Sequence, residues 1–448
     1  MNLNLNEKQK QAVEYKKGAL LIIAGAGTGK TAVITQRIVH IINSKWAKPD
    51  EILALTFTEK AADEMLQRVD ESMPIGYGDV WISTFHSFCD RILKQEGYNI
   101  GLDSDYILMS AAQSYVFLRK HLFDLSLKKF RPYGNPTRFV SDLLDHFSRL
   151  QDEDVSPAEY LEYARALSKK DSVEKEEYED TLELATVYDE YTKLKMKNSM
   201  LDFGDLILLT IKLFREKPNV LKRYQEKFKY ILVDEFQDTN YSQSVLVNIL
   251  SGLDPKKDMD KVGKVNPNLT VVGDDDQAIY KFRGAAIPNI LQFKQYYPKA
   301  KKIVLTENYR SHQKILDSAY GLIKNNNPYR LEVTEKVDKR LIAMESFPFD
   351  DDVVNLITAE SEDAEGEWIA KEILSLTGNS DETSVRGTQK FNESGQSAFL
   401  ELVPDRKYKF SDIAILVRAN AHADSIVQNL RYFGVPYKLG GSRGLYFR

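Results

Sequence analysis

The chain has 448 residues, of which 43% are hydrophobic and 28% charged, with a formal net charge of −5. At about 150 residues per domain this length predicts roughly three domains of an ordinary globular class. The small net charge leaves any nucleic-acid surface to be local, and the single cysteine, Cys89, excludes an internal disulfide or a multi-cysteine metal centre.

The N-terminal stretch MNLNLNEKQKQAVEY has no basic region followed by an apolar core, so no signal peptide is expected. No apolar run approaches the ~20 residues of a membrane helix. With one cysteine, a reducing cytoplasm and no membrane partner are the expectation. ALLIIAG (Ala19 to Gly25) reads as a buried strand and TAVITQRIVHII as the helix after it. EILALTFT is a second strand. In the helix that follows, Ala61, Ala62, Met65, Leu66 and Val69 recur at helical spacing. From about Phe88 to Leu201 the chain is rich in Tyr, Leu, Lys and Glu and reads as an all-α insertion. YILVDEF and LTVVGD are further apolar strands, each ending in acid. A second α/β region is expected from KIVLTENYR, near Ile303, with another strand in DIAILVRAN (Asp412 to Asn420). The polar stretches DPKKDMDKVGKVNPN and GNSDETSVRGTQKFNESGQS read as loops. Continuous apolar strands separated by helices predict an α/β fold with a parallel, doubly wound sheet, in which ligands bind beyond the carboxyl ends of the strands.

AGAGTGKT, Ala24 to Thr31, fits the phosphate loop G-x-x-x-x-G-K-[ST] from Gly25. Ala24, Gly25, Ala26, Gly27, Thr28 and Gly29 would let backbone N–H groups converge on phosphate oxygens, aided by the following helix N-terminus. Lys30 would reach the β/γ-phosphates, and Thr31 would offer its hydroxyl to Mg²⁺. In VDEFQD, Asp234 ends a buried strand where it would hold Mg²⁺, and Glu235 would orient or deprotonate the attacking water. Together they predict a nucleoside triphosphatase using Mg²⁺. VVGDDDQAIYKFRGA, Val271 to Ala285, sets three carboxylates beside interleaved aromatic and basic side chains. Its first half reads as built for a cation or a water, its second for an anion with flat faces.

LNEKQ, ALTFTEKAADEM, ISTFHSFCDRIL, MLDFGDLI, YILVDEFQDTN, VVGDDDQAIYKFRGA and LTENYRS, in this order, resemble the UvrD/Rep/PcrA-like superfamily 1A DNA helicases. The resemblance runs from Leu5 to about Tyr446. It implies two RecA-like domains: 1A over 1–87 and 202–300, carrying a helical insertion 1B over 88–201, and a partial 2A over 301–448. It implies ATP-driven 3′→5′ movement on single-stranded DNA, in repair or replication restart. Gln9 matches the adenine-reading glutamine, Tyr309 the adenine-stacking aromatic and Arg310 the γ-phosphate arginine. Gln277 matches the residue that senses the γ-phosphate and couples it to DNA. Tyr280, Phe282 and Arg283 match the DNA-contacting run after it, where aromatics stack on bases and cations hold phosphates. On this reading the acid and Gln277 face the nucleotide while the aromatic and basic residues face the strand. Phe57, Thr84, His86 and Phe203 are further DNA candidates, each equally readable as core or as a capping group.

Two positions depart from the family pattern. Ala32 stands where relatives often carry arginine, which puts tight base selectivity in doubt, and Phe282 stands where many have tryptophan. The final YKLGGSRGLYFR resembles the segment that precedes the 2B insertion, so a truncated chain that is a poor motor alone is expected. A helicase subunit of a RecB/AddA-like nuclease complex and an ATP-gated single-stranded DNA-binding module are the alternatives.

Overall fold

The computed structural model describes residues 5–74, 76–169, 174–278, 289–344, 353–378 and 408–440, with the short strand pairs 390–391 and 397–398. The chain divides into two compact units, Met1–Pro348 and Phe349–Arg448.

The first unit opens with α1 (Glu7–Glu14), started by a capping box in which Asn6 and Gln9 satisfy each other's backbone N–H. Strand β1 (Leu20–Ala24) feeds α2 (Lys30–Asn43). Next come β2 (Ile52–Thr56), α3 (Glu59–Ser72), β3 (Trp81–Thr84) and α4 (Phe85–Glu96). A helical region follows, with β4 (Ile107–Leu108), α5 (Ala111–Lys120), α6 (Val140–Asp152), α7 (Pro157–Leu167), α8 (Lys175–Lys197) and β5 (Met200–Leu201). The chain returns through α9 (Phe203–Glu216), α10 (Pro218–Lys227), β6 (Tyr230–Val233), α11 (Tyr241–Leu250) and β7 (Leu269–Gly273). It continues with α12 (Asn289–Tyr296), β8 (Lys301–Leu305), β9 (Glu307–Asn308), α13 (Gln313–Ile323), α14 (Leu331–Thr334) and β10 (Ile342–Ala343).

Six strands form one sheet in the order β3-β2-β6-β7-β1-β8, and every pairing is parallel. All five residues of β1 are buried, because both faces are covered. Leu21, Ile23, Leu53, Leu55, Ile231 and Val233 enter one core. Leu20, Ile22, Ile52, Ala54 and Leu232 enter the other. The alternation is the period of two of a pleated strand, apolar on both sides. Arg37 of α2, only 1% exposed, ties the layers together. It donates to Thr270 Oγ1 on β7 at 3.1 Å and to the Ala12 and Val13 carbonyls at 2.9 and 3.1 Å.

Two elements pack differently from the sequence expectation. The strand at Lys301–Leu305, read as the start of the second α/β region, pairs with β1 as the edge strand of the first sheet. Helix α4, which the 88–201 insertion was to begin within, packs Phe88, Cys89, Ile92 and Leu93 into the sheet's own core. The helical region's separate core runs from Met109 to Tyr191, where Phe147 stacks on Tyr188 and Tyr191. The two-residue parallel pair β4–β5 closes its neck. The loop near 254–268 is pinned: Asn266 and Asn268 accept the Ala19 and Gly18 N–H groups, each at 3.0 Å.

Within the second unit, α15 (Glu362–Leu376) and α16 (Ala423–Tyr432) share a small core of Ala370, Ile373, Ile426, Leu430 and Val435. The stretch expected to be a strand at 412–420 is not one. It is bounded by 3₁₀ turns at Phe410–Asp412 and Asn420–His422, and Leu416 is almost fully exposed. An apolar run becomes a strand only where a neighbouring strand takes its hydrogen bonds. Among the described residues none pairs with this stretch. Most of the loop at 378–397 lies outside the described residues.

Candidate nucleotide and nucleic-acid site

The carboxyl ends of β6, β7 and β1 are neighbours, so the sheet sets Asp234–Glu235, Asp274–Gln277 and the phosphate loop side by side. Gly27 and Gly29 have φ of 76° and 83°, left-handed values that favour glycine. Gly27 also has no room for a side chain, since a Cβ there would sit 2.5 Å from Asn308 Nδ2. No side chain caps α2 after Gly29, which leaves its first amides for an anion.

Lys30 is 8% exposed, and its ammonium lies 2.7 Å from Glu235 Oε2 and 3.0 Å from Gln277 Oε1. Gln277 is held in turn by Asp274, whose Oδ2 accepts from Nε2 at 2.8 Å. Gln237 donates to Glu235 Oε2 at 2.7 Å and accepts the Asp274 N–H at 3.0 Å. Glu235 adopts the left-handed region at φ 47°, a conformation that costs a non-glycine residue about 1 kcal/mol or more and collects at functional sites. Asp234 is buried with its N–H on the Leu55 carbonyl. Burial, and then the charge of Glu235, push its carboxyl up to about 6, against the Glu235 N–H, Lys30 and the Thr31 hydroxyl. A buried carboxylate beside a threonine hydroxyl is an all-oxygen donor pair of the kind Mg²⁺ prefers.

The segment after β8 leans on the loop. Asn308, 1% exposed, donates to the Ala26 carbonyl at 2.6 Å, and the Tyr309 N–H reaches the Gly27 carbonyl at 2.9 Å. The Tyr309 hydroxyl accepts from Asn6 and donates to Glu307. Arg310 is exposed beside it, with its N–H on Asn308 Oδ1. Gln9 is buried and occupied: its Nε2 donates to the Thr28 carbonyl at 3.0 Å, and its Oε1 takes the Asn6 N–H. Asn6 and Asn308 clamp this corner, a role no motif spacing announced.

The acid run divides its duties. Asp274 reaches Lys30 through Gln277 on one oxygen and accepts from Lys339 on the other. Asp275 and Asp276 turn the other way, to Lys339 and Arg330. The expectation that all three carboxylates face the nucleotide is corrected on this point, since two buried cations outcompete solvent for them. Tyr280, Phe282 and Arg283 lie outside the described residues.

At the ends of β2 and β3, Phe57, Thr84, His86 and Phe203 line one cavity of about 460 Å³ together with Glu59 and Lys94. Phe203 is 48% exposed and meets the His86 ring edge-to-face, with centroids 5.4 Å apart. Burial lowers the His86 pKa. Thr84 is a satisfied cap: its Oγ1 accepts the Ser87 N–H at 3.1 Å and donates to Glu59 at 2.8 Å. Cys89 is fully buried, and burial pushes its thiol up to about 12, so it packs as a small hydrophobe.

Comparison with known proteins gives the family. The profile of the UvrD/REP helicase N-terminal domain matches residues 5–298, and that of the UvrD-like helicase C-terminal domain matches 303–448. The chain belongs to the UvrD/REP helicase family. It is 36% identical over 446 residues to the ATP-dependent DNA helicase PcrA of Bacillus subtilis, covering 99% of this chain and 51% of that one. The PcrA proteins of Staphylococcus epidermidis and Leuconostoc citreum are each 34% identical, covering 99% of this chain and 52% and 51% of theirs. The chain thus spans about half the length of the curated relatives it matches. The crystal structure of Pif1 helicase from Candida albicans is similar at 13% identity and a TM-score of 0.31, covering 73% of this chain and 45% of that one. Among the described residues no helix is long and apolar enough to cross a membrane.

Proposed function

We propose that this chain hydrolyses ATP and uses it to move 3′→5′ along single-stranded DNA, as part of a DNA helicase acting in repair or replication restart in the cytoplasm. The observation that carries the reading is the Lys30–Glu235–Gln277 cluster, which joins the phosphate loop to the acidic ends of two neighbouring strands.

Phosphates entering the loop compete for the Lys30 ammonium, and its transfer to them frees Glu235 to orient and deprotonate a water. Gln277 stays anchored on Asp274 and registers whether the γ-phosphate is present. Thr31 and Asp234 would hold Mg²⁺, which when bound neutralises charge on the β- and γ-phosphate oxygens. Arg310 adds positive charge from the segment beyond β8. Tyr309 offers a face to adenine, and Gln9 reads the base once its amide exchanges Thr28 or Asn6 for it. Ala32 supplies no opposing face, so base selectivity is modest.

The cavity at β2 and β3 takes the strand. Phe203 and His86 present ring edges and faces that suit unstacked bases, and Phe57 and Thr84 line the same cavity. Tyr280, Phe282 and Arg283 follow Gln277 directly in sequence and extend the same contact. The test is ATP turnover with and without single-stranded DNA, followed by displacement of streptavidin from biotinylated oligonucleotides. Faster displacement from the 5′ end than from the 3′ end supports 3′→5′ movement. DNA binding that responds to ATP without any displacement indicates a gated binding module instead. Phe203→Ala should weaken single-strand binding by about 1–3 kcal/mol, the range of aromatic–base stacking, with the KM for ATP unchanged. Unaltered DNA affinity at fixed salt would remove Phe203 from the interface.

A further inference from the structure

At the carboxyl end of β7, three consecutive carboxylates surround one buried ammonium. Lys339 Nζ lies 2.5 Å from Asp274 Oδ1 and 2.8 Å from Asp276 Oδ2, and it also donates to Asp275 Oδ1. Arg330 forms a bidentate pair with Asp276, both bonds 2.7 Å, and the Leu331 N–H reaches Asp275 Oδ2 at 2.8 Å. Lys339 is 7% and Arg330 3% exposed. One carboxylate oxygen from each aspartate lies within 4.8 Å of the others, a spacing that without a resident cation would draw a divalent ion. The resident cation is the lysine.

This cluster is wired to the phosphate loop. Asp274 accepts from Lys339 on one oxygen and from Gln277 on the other, and Gln277 accepts from Lys30. Two residues past Lys339, Leu341 packs over the loop, where a Cβ on Gly25 would come within 3.0 Å of its methyl groups. One segment therefore touches both the strand end that carries Gln277 and the loop that carries Lys30.

We infer that Lys339 and Arg330 are positioning residues for ATP hydrolysis: they fix Asp274 so that Gln277 faces Lys30, and they occupy the acid run so that a divalent cation is drawn to Thr31 and Asp234 alone. The inference rests on the nucleotide reading given above. A buried ion cluster that loses its cation keeps uncompensated charge, so removing Lys339 misplaces Gln277 and opens a second metal site.

The experiment uses the full 448-residue chain with Lys339→Met, Lys339→Arg and the double variant Lys339→Met/Asp275→Asn, which removes a charge from each side and guards against misfolding. For Lys339→Met and the double variant, kcat should fall at least about tenfold with the KM for ATP within about threefold, as expected when a reacting geometry is displaced by a fraction of an ångström. Lys339→Arg should keep most of the parent rate. In nucleotide-free protein, Mn²⁺ titration followed by electron paramagnetic resonance should find one more bound ion in Lys339→Met than in the parent, and no extra ion in the double variant. A double variant with parental kcat overturns the positioning role, and a Lys339→Met protein with no added Mn²⁺ overturns the metal-excluding role. If the parent itself turns over no ATP, the nucleotide reading fails, while the Mn²⁺ count still judges the clamp.

Discussion

Lys30 opens α2 and Lys195 lies near the end of α8, both buried and both paired with acid. Lys195 sits between Asp202 and Asp205, 2.6 Å from Asp205 Oδ2, while Gln151 donates to both aspartates at 2.9 and 3.0 Å. Every carboxylate oxygen there has a partner from α6, α8 or the capping box of α9, so the cluster joins the helical region to the sheet through contacts that are all internal. Lys30 has one carboxylate and one amide oxygen, on a loop whose helix start is uncapped. Its partners are replaceable, and phosphate oxygens are better ones. Burial of a lysine therefore does not mark a site; exchangeable partners do.

Substitution at each lysine tests that contrast. Lys30→Ala should lower ATP turnover by about a thousandfold or more, the scale of losing a principal charge contact to the transferred phosphoryl group. Its unfolding midpoint in urea should stay near the parent's. Turnover within about tenfold of the parent would remove Lys30 from the chemistry. Lys195→Met should do the reverse. Two buried carboxylates left without their cation cost about 3–5 kcal/mol of stability, read by denaturant unfolding, while nucleotide affinity per folded molecule holds. A loss of nucleotide affinity without loss of stability would erase the distinction.

A smaller effect separates the two regions by pH. Burial and Glu235 favour the neutral form of Asp234, whose pKa is about 6. At pH 7 it is mostly ionised, and as pH falls through 6 it takes a proton that must leave before a metal binds. The Mg²⁺ concentration giving half-maximal turnover should therefore rise about tenfold per pH unit below 6. A flat Mg²⁺ requirement between pH 7 and 5 would place the metal elsewhere.

Much of this was legible in the sequence, and the reasons are local. β1, β6 and β7 are apolar runs that end in glycine or acid, and their chemistry sits at the run's end, where a parallel sheet presents it. The allegiance of β8 was not legible, because KIVLT reads the same whichever sheet it joins. Its pairing with β1 is a matter of long-range register. The stretch at 412–420 has the composition of a strand but not, among the described residues, a neighbour. Lys339 lies 63 to 65 residues from the aspartates it neutralises, in a stretch without periodicity. Asp202 and Asp205 did leave a signal, an acid at the N-cap and another at N3 before an apolar helix. That spacing announces a cap and says nothing of the lysine between them.

The order of the strands also sets a distance. From β1, which carries the phosphate loop, to β3, which carries Thr84, the sheet takes four steps through β7, β6 and β2, or roughly 19 Å at about 4.8 Å per step. On the proposed reading, a nucleotide and a DNA base held at those two ends are too far apart to touch. News of the γ-phosphate has to cross the intervening strand tips, and the residues waiting there are Asp274, Gln277, Asp234 and Glu235. On that reading Gln277, bonded to both Lys30 and Asp274, is where a change of one hydrogen-bond partner would begin the relay.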